Sequence, residues 1–363
     1  MNEWKEYKLG ELLTIKYGKD HKQLSDGIYP VYGSGGIMRY GDRYLYDKES
    51  ILIPRKGSLN NIFFEDKAFW TVDTMFWSEI DSSKVCPKFL YYQLTLVDFE
   101  NLNVGSAVPS LTIPIINDVD VVLPSLPTQH RIAAILSSLD DKIDLLRREN
   151  ATLEAMAETL FRQWFVVEAK EEWEEGKLGD ILSVKGGTTP STKEPSYWDG
   201  DITWTSPRDV TTLNGLYLFD TEKKITQKGL EQISSGLLPE GTLLMSSRAP
   251  VGVLAFAEIP LAINQGYIAI LDDKGYSKEF IYLWLKTNMD LVHSYSNGST
   301  FMEISKSAFK SLDLLIPPQS EVEEFVGKVK PYFEKIRLNE MHCILLFKLK
   351  NLLLPRLMSN KKC

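Results

Sequence analysis

The sequence predicts an α+β chain: two mixed α/β heads, related by a pseudo-twofold internal repeat, joined by two long helices that pair as an antiparallel coiled coil. Two observations carry this. WKEYKLGELLTIKYG from Trp4 returns as WEEGKLGDILSVKGG from Trp173, a displacement of 169 positions. Each copy then ends in a long stretch of heptad-spaced apolar residues.

The echo continues inside the copies. ILIPRKGSLNNIFF from Ile51 lies against LLMSSRAPVGVLAF from Leu243, now displaced by 192, so the second copy has gained residues in between. FLYYQL from Phe89 matches FIYLWL from Phe280, and VGSAVPSL…VDVVLP matches NGSTFMEI…LDLLIP at a displacement of 193. Two large units repeated once do not make a solenoid, which stacks several short repeats. They make a fused pseudo-dimer, and the usual two-parted ligand for such a molecule is a DNA site with two half-sites. The resulting boundaries are 1–124 for the first head, 125–166 for its helix, 167–317 for the second head and 318–363 for the second helix and tail.

In the first head and the second, the apolar runs ILIP (from Ile51), VVLP (from Val121) and LLIP (from Leu314) read as strands, with Gly-rich turns between them. FLYYQL and FIYLWL read as short helices. The first long helix is expected from Thr128 to Phe165, which contains no Gly or Pro. Ile132, Leu139, Leu146, Leu153 and Leu160 alternate with Leu136, Ile143, Asn150, Ala157 and Trp164 at steps of four and three, a coiled-coil seam. Shifting by 193 gives Phe325, Tyr332, Asn339, Leu346 and Leu353 with Val329, Ile336, Cys343, Lys350 and Leu357, a rougher seam.

Only Val166 to Glu172 separates the first helix from the second head, so the economical path brings the second helix back antiparallel along the first. Setting Asn150 opposite Asn339 also places Trp164 by Phe325, Leu153 by Ile336 and Ile143 by Leu346. A heptad slip would leave each amide facing an apolar residue, and buried polar pairs fix register in this way. Leu139 against Lys350 fits less well; the expectation is that the lysine stem packs while its ammonium snorkels to water. A helix of about 38 residues at roughly 1.5 Å each is about 57 Å long, an upper bound for a ruler between the heads.

Composition sets the outer limits. At 363 residues and 44% hydrophobic content the chain can build two or three folded cores. No apolar run approaches the length of a membrane span and the N-terminus has no signal-peptide core, so the cytoplasm is the expected location. Three cysteines, Cys86, Cys343 and Cys363, are too few and too scattered for a disulfide framework or a zinc site; Cys86 and Cys343 read as buried thiols. The net charge of −8 counts against unaided nucleic-acid binding, so basic groups must gather on one face or a partner must share the electrostatic grip.

The candidate contact residues sit in the loops of the heads. The first carries YGSGGIMRYGDRYLYD, with Ser34, Gly35, Arg39 and Arg43, and then Arg55, Lys56, Ser58 and Asn60. The second carries GGTTPSTKEPSYWDGDITWTSPRDV, with Thr188, Thr189, Lys193, Tyr197, Trp204, Ser206 and Arg208, then Ser247, Arg248 and Gln265. Arg and Lys reach guanine edges or phosphates, and Asn and Gln pair with adenine. Glycine lets a backbone come close to a phosphate. GSGG alone is most often a tight turn, and Tyr197, Trp198 and Trp204 read first as core and second as stacking platforms. Lys56 and Arg248 stand out because they fall at the same point of both copies, after a strand, where packing alone does not explain them.

Taken together, LPSLPTQHRIAAILSSLDDKIDLLRRENATLEAMAETLFRQWFV, GGTTPST…YWDGDITWTSPRD, YGSGGI and the terminal LLLPRLMSN resemble the specificity subunit of type I restriction-modification systems, over nearly the whole chain. The resemblance implies two target recognition domains, each reading one half of an interrupted, asymmetric double-stranded DNA site. It implies that the paired helices form a spacer on which two methyltransferase subunits dock. Those subunits bring S-adenosylmethionine and methylate an adenine; a restriction subunit, where one exists, adds ATP- and Mg-dependent translocation and cleavage. The chain itself is then non-catalytic, with no cofactor or metal of its own. The off-seam apolar residues of HCILLFKLKNLLL fit a methyltransferase contact or core against the neighbouring head equally well.

Three rivals fare worse. A self-sufficient methyltransferase needs a glycine-rich cofactor loop and an Asn/Asp-Pro-Pro-aromatic motif, and IPPQ at Ile316 lacks the flanking residues. A nuclease built on Asp140, Asp141 and Lys142 would place its centre in the heptad helix, where charges normally form the solvated face. A protein–protein scaffold that uses the helical ruler without reading DNA is kept alive by the acidic balance.

Overall fold

The computed structural model describes residues 4–105, 107–271, 274–298 and 302–359; Cys363 lies outside them, as do Ser106, Ser299, Thr300 and Phe301 of the repeat motifs and Asn360 of the terminal one. The chain divides into two compact units, 1–142 with 345–363, and 143–344. Both divisions fall inside the long helices, which run from Leu126 to Arg162 and from Gln319 to Leu357. Each unit therefore takes one head together with the helix segments packed on it, whereas the sequence boundaries assign each helix whole.

In the first unit a four-stranded antiparallel sheet runs in the order Leu13–Tyr17, Met75–Ile80, Ser50–Pro54, Phe63–Glu65. Ser50–Pro54 lies inside the sheet and every one of its residues is buried, which is why it reads as an unbroken apolar run. A second sheet joins Gly36–Gly41 to Asp26–Gly33 as a hairpin and adds Trp70–Thr71 in parallel. The helix Pro87–Leu94 begins where the backbone N–H of Cys86 donates to Gln129 Oε1 at 2.8 Å, so a buried glutamine of the first long helix caps it. Ile132, Ala133 and Leu136 of that helix, with Leu354 of the other and Met358 just after its end, belong to the core of this head.

The second unit repeats the plan with more strands. A five-stranded sheet is ordered Ser183–Lys185, Tyr267–Leu271, Leu243–Ser246, Leu254–Ala257, Tyr217–Leu218. A three-stranded sheet of Lys223–Ile225, Trp198–Thr205 and Ala262–Ile263 accompanies it. Its core includes Ala157 and Phe161 of the first long helix and Phe325, Val329, Phe333 and Ile336 of the second.

The repeat is visible down to single side chains. Lys5–Lys8 pairs antiparallel with Asp120–Leu123, and Glu174–Lys177 pairs with Asp313–Ile316. Lys8 N donates to Glu11 Oε2, and Lys177 N to Asp180 Oδ2, both at 2.7 Å. Lys8 pairs with Asp120, and Lys177 with Asp313. These anchors fasten the first strand of each head to the strand that leads into its long helix.

Within the second unit the helices run antiparallel: Cys343 Sγ lies 3.9 Å from Ile143 O, Asn339 Nδ2 donates to Asn150 Oδ1 at 2.8 Å, and the Trp164 and Phe325 rings lie 5.9 Å apart. Asn339 also donates to Glu149 Oε2 at 2.9 Å, so the amide layer is a three-residue network. Ile143, Leu146, Val329, Ile336 and Asn339 are buried, and Leu153 and Leu160 half-buried. In the first unit Ile132 and Leu136 are buried, while Leu139, Leu346 and Leu353 are half-buried.

Two expectations about the seam need correction. Lys350 does not send its ammonium to water: it pairs with Asp140 at 2.7 Å and lies 5.2 Å over the Tyr92 ring, whose hydroxyl donates to the same carboxylate at 2.7 Å. Asp140 is accordingly an anchor of the first head, not part of a solvated face, because a half-buried ammonium is retained only with a partner. Cys343 is half-buried, not buried, since a two-helix seam covers a side chain from one side; Cys86, inside the head, is buried, and that burial pushes its thiol pKa up.

Candidate functional site

Each head gathers most of its candidate residues into one loop cluster, and the same backbone bridge organises both. In the first head the segment after strand Ser50–Pro54 pairs with the loop ahead of Ile113–Asn117: Lys56 bridges Ser110, and Leu111 N donates to Arg55 O at 2.9 Å. In the second, Arg248 bridges Glu303, and Ile304 N donates to Ser247 O at 3.0 Å. Lys56 and Arg248 therefore occupy one structural position in the two copies.

Around Lys56 the hairpin tip is drawn in. Asn61 Nδ2 donates to Ser34 O at 3.1 Å, and Gly57, with φ of 93°, brings its α-carbon so near that a Cβ would sit 2.9 Å from Ser34 Oγ. Ser34, Gly35, Arg55, Lys56, Ser58 and Asn60 are thus one surface, with Gly35, Lys56, Ser58 and Asn60 exposed. Arg39 and Arg43 are not part of it. Arg39 donates to Leu24 O and pairs with Asp26 at 2.7 Å, and Arg43 donates to Gln23 O, so both brace the hairpin against the 23–26 segment. Arg55 is also committed, to Asp73 O at 3.2 Å and over the Tyr17 ring at 5.5 Å.

The second cluster forms around Gly266. Ser247 N donates to Gly266 O at 2.8 Å, Thr189 Oγ1 donates to Gln265 Oε1 at 2.7 Å, and a Cβ on Gly266 would meet Pro207 at 2.7 Å, between Ser206 and Arg208. Thr188 holds the neighbouring turn, donating to Gln232 O and accepting from Ser234 N. Gly187 approaches protein, not phosphate: a Cβ there would lie 1.7 Å from Ile263 O. Trp204 is 5% exposed and packs with Ile225, Ile233 and Ala262, the core reading of that residue. Ser247 is 3% exposed and supports the loop through its backbone. Lys193 and Tyr197 belong to the separate stretch from Ser191 to Tyr197.

The electrostatics sort the candidates. The side chains of Lys56, Lys193, Arg208 and Arg248 make no hydrogen bond or ion pair among the described residues, whereas Arg39, Arg43 and Arg55 do. An uncommitted cation on a fixed loop is available to a phosphate or a guanine edge without first breaking an internal bond. No group of His, Cys, Asp and Glu able to hold a metal occurs among the described residues, and no helix there is long and apolar enough to cross a membrane.

A sequence profile of the type I restriction-modification DNA specificity domain matches residues 1–155 and again 170–344. The chain belongs to this family. The two matched segments of the specificity domain are the two heads with parts of their helices. Among relatives, the MjaIX specificity subunit of Methanocaldococcus jannaschii is 35% identical over 181 residues, 49% of this chain and 42% of that protein. The chain thus spans less than half the length of that relative. The HindI specificity subunit of Haemophilus influenzae is 23% identical, covering 99% of this chain and 100% of that one. The crystal structure of a type I restriction-modification S subunit from M. genitalium has the same fold, with a TM-score of 0.64 at 17% identity, covering 99% of this chain and 97% of that one.

Proposed function

We propose that this specificity-family chain is the DNA-reading subunit of a type I restriction-modification complex. Each head reads one half of an interrupted, asymmetric double-stranded site, and the paired helices set the spacing and dock two methyltransferase subunits. The observation that carries the reading is the recurrence of one loop bridge in both copies, each presenting an uncommitted cation, Lys56 and Arg248. The surrounding residues differ between the heads, so the half-sites differ. Ser58, Asn60, Thr189, Arg208 and Gln265 supply the further contacts, and Lys193 and Tyr197 a flanking one. The methyl transfer from S-adenosylmethionine, and any ATP- and Mg-driven cleavage by a restriction subunit, belong to the partners. Against a net charge of −8, the partners also carry part of the phosphate contact.

Co-expression with the neighbouring methyltransferase subunit, followed by mapping of adenine methylation in host DNA, tests this. A two-part interrupted motif methylated only when both proteins are present is expected. Methylation by this chain alone would make it an enzyme, and a stable complex without any motif would favour the scaffold reading that its acidity suggests. Lys56→Ala and Arg248→Ala are each expected to weaken the assembled complex on its site by roughly tenfold and to lower the salt slope of binding by about one, with assembly intact. Filter binding at several salt concentrations decides; unchanged affinity in both variants removes these residues from the interface.

A further inference from the structure

The first head has an exposed apolar face that the charged loop cluster leaves unexplained. In the hairpin Asp26–Gly33 and Gly36–Gly41, Ile37 stands opposite Tyr32, Tyr40 opposite Pro30 and Arg39 opposite Val31, with a bulge between Val31 and Tyr32. Val31 points into the core with Leu24 and Val72, and Arg39 follows it to that side. Ile37 and Tyr40 therefore share the other side, where Tyr32 meets Phe63 with ring centroids 5.5 Å apart. They remain 48% and 51% exposed. Phe63 directly follows the loop that carries Lys56 and holds the hairpin tip through Asn61 and Ser34, so the apolar face continues into the charged cluster. Among the described residues, the second head has no exposed aromatic side chain to match.

We propose, resting on the function above, that Ile37 and Tyr40 form a shelf by which the first head reads a thymine through its C5-methyl group in the major groove. Charged and amide side chains distinguish bases by hydrogen bonds, but an apolar surface against DNA distinguishes only the thymine methyl or an opened base step. Opening a step needs an apolar wedge at the tip, and the tip here is Ser34–Gly35; Met38, although 57% exposed, lies behind it with its sulfur beside Gly33, where a Cβ would meet it at 2.5 Å. A flat shelf on the edge strand Gly36–Gly41, next to the hairpin tip, suits a methyl in a groove wide enough to admit paired strands. The neighbouring Lys56 fixes the register by holding a phosphate or a guanine edge.

Once the methylated motif is known, the assembled complex is titrated with duplexes in which each thymine of both half-sites is replaced in turn by deoxyuridine, which lacks only the methyl. One thymine, in one half-site, is expected to matter by about fourfold, the value of one buried methyl. The double variant Ile37→Ala with Tyr40→Ala is expected to bind the thymine and deoxyuridine duplexes equally while still discriminating the other half-site, which shows that it is folded and assembled. Indifference of the unaltered complex to every replacement overturns the shelf, as does undiminished discrimination by the double variant. If no two-part motif exists, the proposed function fails first and the shelf with it; a motif without methyl dependence fails the shelf alone.

Discussion

Phe161→Ala is expected to destabilise the second unit by about 3–5 kcal/mol, the range for truncating a fully buried aromatic side chain. Phe161 is 1% exposed, and its ring lies 5.5 Å from Phe280, 5.9 Å from Phe325 and 5.1 Å from Phe165. It therefore joins both long helices to the head helix Lys278–Thr287 in one aromatic group. Removal leaves a cavity lined by the neighbouring rings, which collapse into it only in part. Hydrogen exchange of amides in residues 243–285 reads the loss directly, with Met156→Ala, at a residue 44% exposed on the same helix, as the control. A loss below about 1 kcal/mol for Phe161→Ala would mean that the helix is not part of the head's core.

Phe161 also marks the limit of what the sequence discloses. The heptad steps identify Ile143, Leu146, Val329 and Ile336 as seam residues because coiled-coil packing leaves a 3.5-residue period in one helix. Phe161, Phe333 and Glu340 lie off that period, since they face a head, and a head has no period to impose. The 4–3 pattern hides them even though all three are buried. Asn150 and Asn339 were legible for the opposite reason: two amides in two apolar seams have one alignment that satisfies both. Lys350 was half legible. Its misfit with Leu139 was evident, but its partners Asp140 and Tyr92 required knowledge of where Pro87–Leu94 packs.

The contact loops follow the same division. The equivalence of Lys56 and Arg248 was readable because the repeat aligns them, and the bridges to Ser110 and Glu303 give that equivalence a backbone cause. Arg39 and Arg43 looked equally suitable in sequence, where a side chain's internal partners are invisible. Their bonds to Leu24 O, Asp26 and Gln23 O place them in the scaffold of the hairpin. Ile37 and Tyr40 lie within YGSGGIMRYGDRYLYD and give no sequence signal of their own. The bulge after Val31 shifts the alternation, so which residues face outward follows from the pairing and not from the pattern.

The unaltered chain is expected to lose stability in its second unit as the pH rises from about 4.5 to 7, because of Glu340. The carboxyl is 8% exposed and accepts the backbone N–H groups of Leu216 at 2.7 Å and Tyr217 at 2.9 Å, closing the edge strand of the five-stranded sheet against the long helix. Burial pushes its pKa up to about 7; the two N–H bonds oppose the shift, and the carboxylates of Glu154 and Glu258 add to it. In the unfolded chain the same group has an ordinary value near 4.3. Well below about pH 4.3 both states hold the proton and its contribution is complete. As the pH rises the unfolded state releases the proton first, and stability falls until the folded state ionises near 7. At about 1.4 kcal/mol per pH unit, the loss across this window is on the order of 3 kcal/mol. Glu340→Gln keeps an acceptor for one N–H and cannot ionise, so the difference in denaturation midpoint between the two proteins is expected to favour the unaltered chain at pH 4.5 and to shrink or reverse by pH 7.5. Asp81, Glu194 and Asp313, whose partners hold them below their ordinary values, act at lower pH and with opposite sign. A difference that stays constant from pH 4.5 to 7.5 would show that Glu340 ionises in the folded chain as it does in water.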